Sequence, residues 1–227
     1  RTTSTTRLYA QSILMTQIIK NILCFGDSNT WGLNPVTGKR FDENSRWAAL
    51  LNKNLGPGFN VIEAGQPNRT LVNNPPFDGV LSGVSYLKPY LDTHKLNFIV
   101  VALGTNDLKK RFDLTSSAIA NGLNDLINAI KAFYQSNNTL KPPQIIVISP
   151  AKIRLTEQYV RIYSGADVKL KTLSDEFKQI ADNQKCEFIN LNSVNVSAQD
   201  GIHFNAQEHE QISCLIANAI KQLMNNF

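Results

Sequence analysis

The sequence predicts an α/β protein with a three-layer α/β/α arrangement, in which a five-stranded, mostly parallel sheet carries helices on both faces. Three observations carry this reading. Five short apolar runs, at residues 18–25, 59–63, 97–103, 144–149 and 187–191, alternate with amphipathic stretches. Each interval between runs is long enough for one helix, as a parallel crossover requires. The runs at 18–25, 59–63, 97–103 and 187–191 all lead into polar loops.

In chain order, residues 18–25 form the first strand and lead into Gly26-Asp27-Ser28-Asn29-Thr30-Trp31-Gly32. A helix over 46–55 puts Trp47, Leu50, Leu51 and Leu55 on one face, and Gly56-Pro57-Gly58 stops it. The second strand, 59–63, opens into Ala64-Gly65-Gln66-Pro67-Asn68-Arg69-Thr70. Residues 73–77 read as loop and 81–91 as helix despite Pro89. The third strand, 97–103, ends in Gly104-Thr105-Asn106-Asp107. A long amphipathic helix over 114–134 precedes the fourth strand, 144–149. Residues 151–165 show no period and carry Tyr159, Ile162 and Tyr163, which suits a lid over a pocket. A helix over 166–184, a fifth strand over 187–191, the segment Asp200-Gly201-Ile202-His203 and a helix over 206–224 complete the chain.

A length of 227 residues suits one domain with a full core, assigned here to 15–227. Residues 1–14 are rich in Thr and Ser and free of acid, and read as a vector-encoded leader, with a targeting peptide as the alternative. Hydrophobic content of 42% and charged content of 18% are those of a soluble globular protein, and no apolar run approaches a membrane span. The net charge of +5 is partly due to Arg1 and Arg7 in that tail. The remaining basic residues are scattered, and Lys109-Lys110-Arg111 is their only run of three, so nucleic acid is not expected as a partner. Cys24, Cys186 and Cys214 lack ligand-like spacing and read as buried free thiols, the first two within strands, which suits a reducing, cytoplasmic location and no metal site.

In an open parallel sheet the site lies beyond the carboxyl ends of the strands. Ser28, Asn68, Asn106, Asp200 and His203 all fall on that edge. A serine needs a general base to attack at neutral pH. Of the three histidines, His94 reads as a helix-end residue and His209, between Glu208 and Glu210, as solvated. His203 stands three residues after Asp200 with a glycine between, so the carboxylate is able to turn back onto one ring nitrogen and aim the other at Ser28. The N–H of Ser28, a backbone N–H of the second loop and the amide of Asn106 are candidate oxyanion donors, Asn106 having turn-capping as its alternative role. The absence of Gly-x-Ser-x-Gly, of a P-loop and of Gly-x-Gly-x-x-Gly disfavours an ordinary α/β-hydrolase and nucleotide chemistry.

The four blocks Gly26-Asp27-Ser28, residues 65–70, Gly104-Thr105-Asn106-Asp107 and Asp200-Gly201-Ile202-His203-Phe204, in this order, resemble those of the SGNH (GDSL-type) hydrolases over essentially all of 15–227. The resemblance implies a flavodoxin-like sheet and cofactor-free ester hydrolysis, with Ser28 as nucleophile, His203 as base and Asp200 as its orienter. Gly-Asp-Ser-Asn-Thr-Trp-Gly, Arg46-Trp47, Arg69-Thr70 and Asp-Gly-Ile-His-Phe are similar to the arylesterase/acyltransferase branch. That branch implies small acyl or aryl esters, acyl transfer to alcohols by some members, and room for a homo-oligomer. One departure stands out: Asn68 occupies a position that is glycine in many members and donates a backbone N–H to the oxyanion. An oxyanion hole of Ser28, Asn68 and Asn106 follows, with the Asn68 backbone strained if its φ is positive. Trp31, Leu33, Phe77, Tyr159 and Tyr163 are the candidates for an acyl pocket. Deacetylation of a glycan and a non-catalytic binding module on the same fold are the alternative readings.

Overall fold

A computed structural model describes residues 19–72, 83–138 and 140–225. The expected leader at 1–14 and the pocket candidate Phe77 lie outside the described residues. The elements run β1 (Lys20–Gly26), α1 (Ser28–Trp31), α2 (Trp47–Leu55), β2 (Phe59–Gly65), α3 (Gly83–Thr93), β3 (Phe98–Ala102), α4 (Ser116–Ser136), β4 (Gln144–Ile148), α5 (Ala166–Asn183), β5 (Glu187–Ile189) and α6 (Ala206–Asn225). The strands form one sheet in the order β2-β1-β3-β4-β5, and every pairing is parallel.

The sheet is buried on both faces, and strand alternation divides its side chains between two cores. Leu23, Phe25, Ile99, Val101 and Val147 point to the face covered by α3, α4 and α5, where they meet Leu91, Leu123, Ile127, Leu173 and Phe177. Ile22, Cys24, Val100, Ile146 and Ile148 point to the face covered by α2 and α6, against Trp47, Leu51, Ile212, Ile216 and Ile220. The unbroken apolar runs of the sequence are thus period-2 strands whose two sides are equally dry. Burying each such aliphatic side chain is worth roughly 1.5–3 kcal/mol.

α2 begins at Trp47, one residue later than expected, and α4 and α1 depart further. α4 begins at Ser116 rather than 114, because the Thr115 hydroxyl accepts the Ala118 N–H at 3.1 Å and so caps the helix. α1 is a single turn within a stretch expected to be loop. The Asp27 carboxylate caps it by accepting the Asn29 N–H at 2.9 Å, and Gly32, at φ 88°, closes it. This turn packs tightly on the sheet. A Cβ on Gly65 would collide with the backbone of Thr30 and Trp31, so the end of β2 needs glycine there.

The chain passes from β1 to β2 on one side, then returns to place β3 on the other side of β1. The loops after β1 and β3 therefore leave the sheet in opposite directions and open a crevice between them. Ser28 follows β1 and Asn106 follows β3, so the crevice falls between these two residues.

Candidate active site

Ser28 is the first residue of α1, only 8% exposed, and its N–H has no acceptor among the described residues. Its Oγ lies 2.9 Å from His203 Nε2. His203 Nδ1 lies 2.6 Å from Asp200 Oδ2. An ionised carboxylate only accepts, which places the imidazole proton on Nδ1 and leaves the Nε2 lone pair for the serine hydroxyl. The other carboxylate oxygen, Asp200 Oδ1, accepts the N–H groups of Ile202 at 2.9 Å and His203 at 3.0 Å. Burial pushes the Asp200 carboxyl up, but these three hydrogen bonds outweigh it and hold it below the usual range.

The loop that makes this geometry depends on Gly201. Its φ is 76°, and a Cβ there would strike the carbonyl of Arg154, whose N–H donates to Gly201 O at 2.8 Å. Ser197 N–H donates to His203 O at 2.7 Å and closes the turn. The Asn29 amide donates to Ile202 O at 3.3 Å, so the serine turn is tied directly to the histidine loop.

The second loop is held by Arg69. Its guanidinium donates to Gly26 O at 3.0 Å and to Ala64 O, and stacks over the Phe25 ring at 4.2 Å. Asn68, just before it, takes φ 67°, the left-handed conformation expected for a residue at that glycine position. Its N–H has no acceptor among the described residues, and its Oδ1 accepts the Lys109 ammonium at 2.8 Å. Asn106 Nδ2 donates to Arg69 O at 3.0 Å, which leaves one amide hydrogen for the crevice. The amide therefore does not cap a turn; Thr105 occupies the cap position of the short 3₁₀ turn Asn106–Leu108. The Asp107 carboxylate accepts Leu71 N–H at 3.0 Å and Val72 N–H at 2.9 Å, fastening the third loop to the second. Burial raises the Asp27 and Asp107 carboxyls to about 6 and lowers the Lys109 ammonium, which also faces Arg111, to about 8.

Ser28, Asn68, Asn106 and His203 line one cavity of about 890 Å³, together with Leu33, Tyr159 and Tyr163 from the expected pocket set. The aperiodic segment after β4 forms one wall through Tyr159, Arg161, Ile162 and Tyr163. Trp31 is not part of the lining. The Arg40 guanidinium sits 5.7 Å over its ring and donates to its carbonyl at 2.7 Å, which holds it against the neighbouring loop. His209 is also corrected: it is fully buried rather than solvated. Helical spacing sets it on the face shared with Ile212, Ser213 and Ile216, and its Nδ1 accepts the Trp47 N–H at 3.3 Å. Burial, and to a lesser degree the nearness of a second imidazole at His203, lowers its pKa to about 4. Of the cysteines only Cys24 is buried; Cys186 is partly covered and precedes β5 rather than lying in it, and Cys214 is exposed. The thiol argument for a reducing compartment thus rests on Cys24 alone.

Three groups in this site were not anticipated: Lys109, Asp107, and the cations Lys110, Arg111 and Arg161. The first four follow directly on the Gly-Thr-Asn block, and that adjacency was the available signal. Among the described residues no group of three or more His, Cys, Asp or Glu is placed to hold a metal ion, and no helix is long and apolar enough to cross a membrane.

The family model for GDSL-like lipases and acylhydrolases matches residues 22–216. The chain belongs to this family of ester hydrolases, the SGNH hydrolases, and its three-layer fold is theirs. Est24, a carbohydrate acetylesterase from Sinorhizobium meliloti, is 31% identical with a TM-score of 0.84 over 90% of this chain and 99% of its own. An aryl esterase from M. smegmatis is 33% identical with a TM-score of 0.83, again over 90% and 99%. A second carbohydrate acetylesterase family member from Sinorhizobium meliloti is 26% identical with a TM-score of 0.84, over 91% and 100%. Among curated proteins no match was found.

Proposed function

We propose that the chain is a serine esterase that cleaves small acyl or aryl esters through an acyl-enzyme on Ser28. The observation that carries this is the continuous hydrogen-bond chain from Ser28 Oγ through the His203 ring to Asp200, opening on the cavity. In the first half-reaction Ser28 Oγ bonds to the ester carbonyl carbon while His203 Nε2 takes its proton. Asp200 keeps the ring oriented and stabilises the imidazolium that forms. The tetrahedral oxyanion accepts hydrogen bonds from the N–H of Ser28, the N–H of Asn68 and the amide of Asn106. Collapse breaks the bond to the alcohol oxygen, which leaves with the proton from His203. In the second half-reaction water, or an alcohol if acyl transfer occurs, gives its proton to His203 and attacks the acyl carbon; the bond to Ser28 Oγ then breaks and Oγ takes the proton back from His203.

A second reading is removal of acetyl groups from carbohydrate, favoured by the likeness to Est24. The four cations at the cavity, Lys109, Lys110, Arg111 and Arg161, suit a polar substrate, while Leu33, Ile202 and the two tyrosines suit an acyl or aryl group. A panel of p-nitrophenyl acetate, butyrate and octanoate, run beside an acetylated xylan and with and without added alcohol, tests these readings. Turnover of the short aryl esters with little acetate released from xylan is the expected result. The reverse pattern supports the carbohydrate reading, and an alcohol-dependent rise in ester product supports transfer.

A further inference from the structure

The cavity beside Ser28 has a one-sided charge. Lys109, Lys110, Arg111 and Arg161 line it, and among the described residues no aspartate or glutamate does. The chain as a whole has 23 basic and 18 acidic residues, so four cations would ordinarily be accompanied by about three acids. Among the described residues none of the four forms an ion pair with a carboxylate. Lys109 is sunk to 9% exposure, is engaged by Asn68, and faces the buried Asp27 and Asp107. Those two carboxylates offset Lys109, and among the described residues no carboxylate pairs with Lys110, Arg111 or Arg161 at the cavity mouth.

This rim is also held in place. The Lys110 N–H donates to Ile162 O at 2.8 Å, which joins the loop after β3 to the wall that carries Arg161. The Arg111 guanidinium lies over the Phe112 ring at 4.7 Å. Apolar surface from Leu33, Pro67, Ile162 and Ile202 continues from the rim toward Ser28. A carbon chain or ring would lie on that surface with a charged end among the cations.

We propose that the preferred substrate is an ester that carries a negatively charged group, such as a carboxylate, bound by Lys110, Arg111 and Arg161 at the mouth of the cavity. The proposal rests on the ester-hydrolase reading above. Because the rim is exposed, its attraction is strongest at low ionic strength and is screened as salt is added.

The test uses two matched pairs: p-nitrophenyl butyrate against mono-p-nitrophenyl succinate, and phenyl acetate against 4-carboxyphenyl acetate. Each pair is normalised to its rate of hydroxide hydrolysis, which removes the electronic effect of the substituent. At about 20 mM ionic strength at least one anionic ester should show a kcat/KM about tenfold above its neutral partner, and at about 0.5 M salt the ratio should fall toward one. In the triple variant Lys110→Gln, Arg111→Gln, Arg161→Gln the low-salt ratio should fall to one or below. All three side chains are exposed, and the wild-type salt series decides the question even if the variant does not fold. Equal or better use of both neutral esters at low salt overturns the proposal and leaves the hydrolase reading intact, as does a ratio unchanged in the triple variant. Failure to cleave any of the four esters overturns the hydrolase reading and this proposal with it.

Discussion

Replacing Asn68 by glycine sets two effects against each other. Asn68 holds φ 67°, where an L-residue pays roughly 1–2 kcal/mol, less for asparagine than for most. Glycine removes that strain but adds about 0.5–1 kcal/mol of chain entropy to the unfolded state, so the backbone effects nearly cancel. The hydrogen bond from Lys109 at 2.8 Å then decides the sign. It is charge-assisted and worth roughly 1.5–3 kcal/mol, and Lys109, at 9% exposure, has little access to replacement water. Asn68→Gly should therefore lose about 2 kcal/mol, and Asn68→Ala about 1 kcal/mol more, because it loses the bond and keeps the strain. The free N–H of Asn68 is held by the same bond, so kcat should fall by about tenfold in the glycine variant, within the range that a misplaced catalytic group costs. Urea denaturation at pH 7, where Lys109 is charged, measures the stability, and a cycle with Lys109→Met isolates the pair. Coupling below about 0.3 kcal/mol, or a glycine variant as stable as the parent, would refute the reasoning.

Two further outcomes follow from the same site. Asn106→Ala should lower kcat by roughly 10²–10³ with KM little changed, and Asn106→Asp should be at least as harmful, since it puts a carboxylate beside Arg69 O and the developing oxyanion. Normal kcat in the aspartate variant, in steady-state kinetics, would remove Asn106 from the mechanism. Asp27 has its carboxyl raised by burial from 3.8 to about 6, so between these values the folded state binds the proton that the unfolded state has lost. Stability from this group is therefore present below pH 4 and is lost as pH rises to 6, by up to about 3 kcal/mol. Asp27→Asn keeps an acceptor for the Asn29 N–H, so its melting temperature relative to the parent should climb from pH 4 to 6 and then level off; a pH-independent difference would contradict the assignment.

The sheet was legible because both of its faces are dry. Runs such as Ile22-Leu23-Cys24-Phe25 carry no polar residue that could confuse their assignment. The meeting of Ser28, Asp200 and His203 was legible because each follows a strand on one edge and the loop spacing near Gly201 left few geometries open. His209 was misread because its acidic neighbours in sequence point to water, while its neighbours at helical spacing, Ile212 and Ile216, point to the core. Trp31 was misread because its position in the serine block says nothing of Arg40, which arrives from the next loop to cover it. The cations at 109–111 were seen as a charge run and weighed against nucleic acid. Their place at the cavity follows from the backbone bond between Lys110 and Ile162, a contact between segments that no local pattern encodes. The bond from Lys109 into the second loop was not legible for the same reason, since its partner Asn68 lies 41 residues earlier.

The central claim is that Ser28 is the acyl-carrying nucleophile activated by His203. Treating the protein with a fluorophosphonate ester and mapping the adduct by peptide mass spectrometry tests it directly. The account predicts one adduct, on the peptide containing Ser28, absent from Ser28→Ala and formed far more slowly in His203→Ala, with esterase activity lost in step with labelling. Ser28→Ala should retain no more than the ~10³-fold residual catalysis over water that an oxyanion hole and binding provide. An adduct on another residue, or a Ser28→Ala variant that hydrolyses p-nitrophenyl acetate at the parental rate, would contradict the claim.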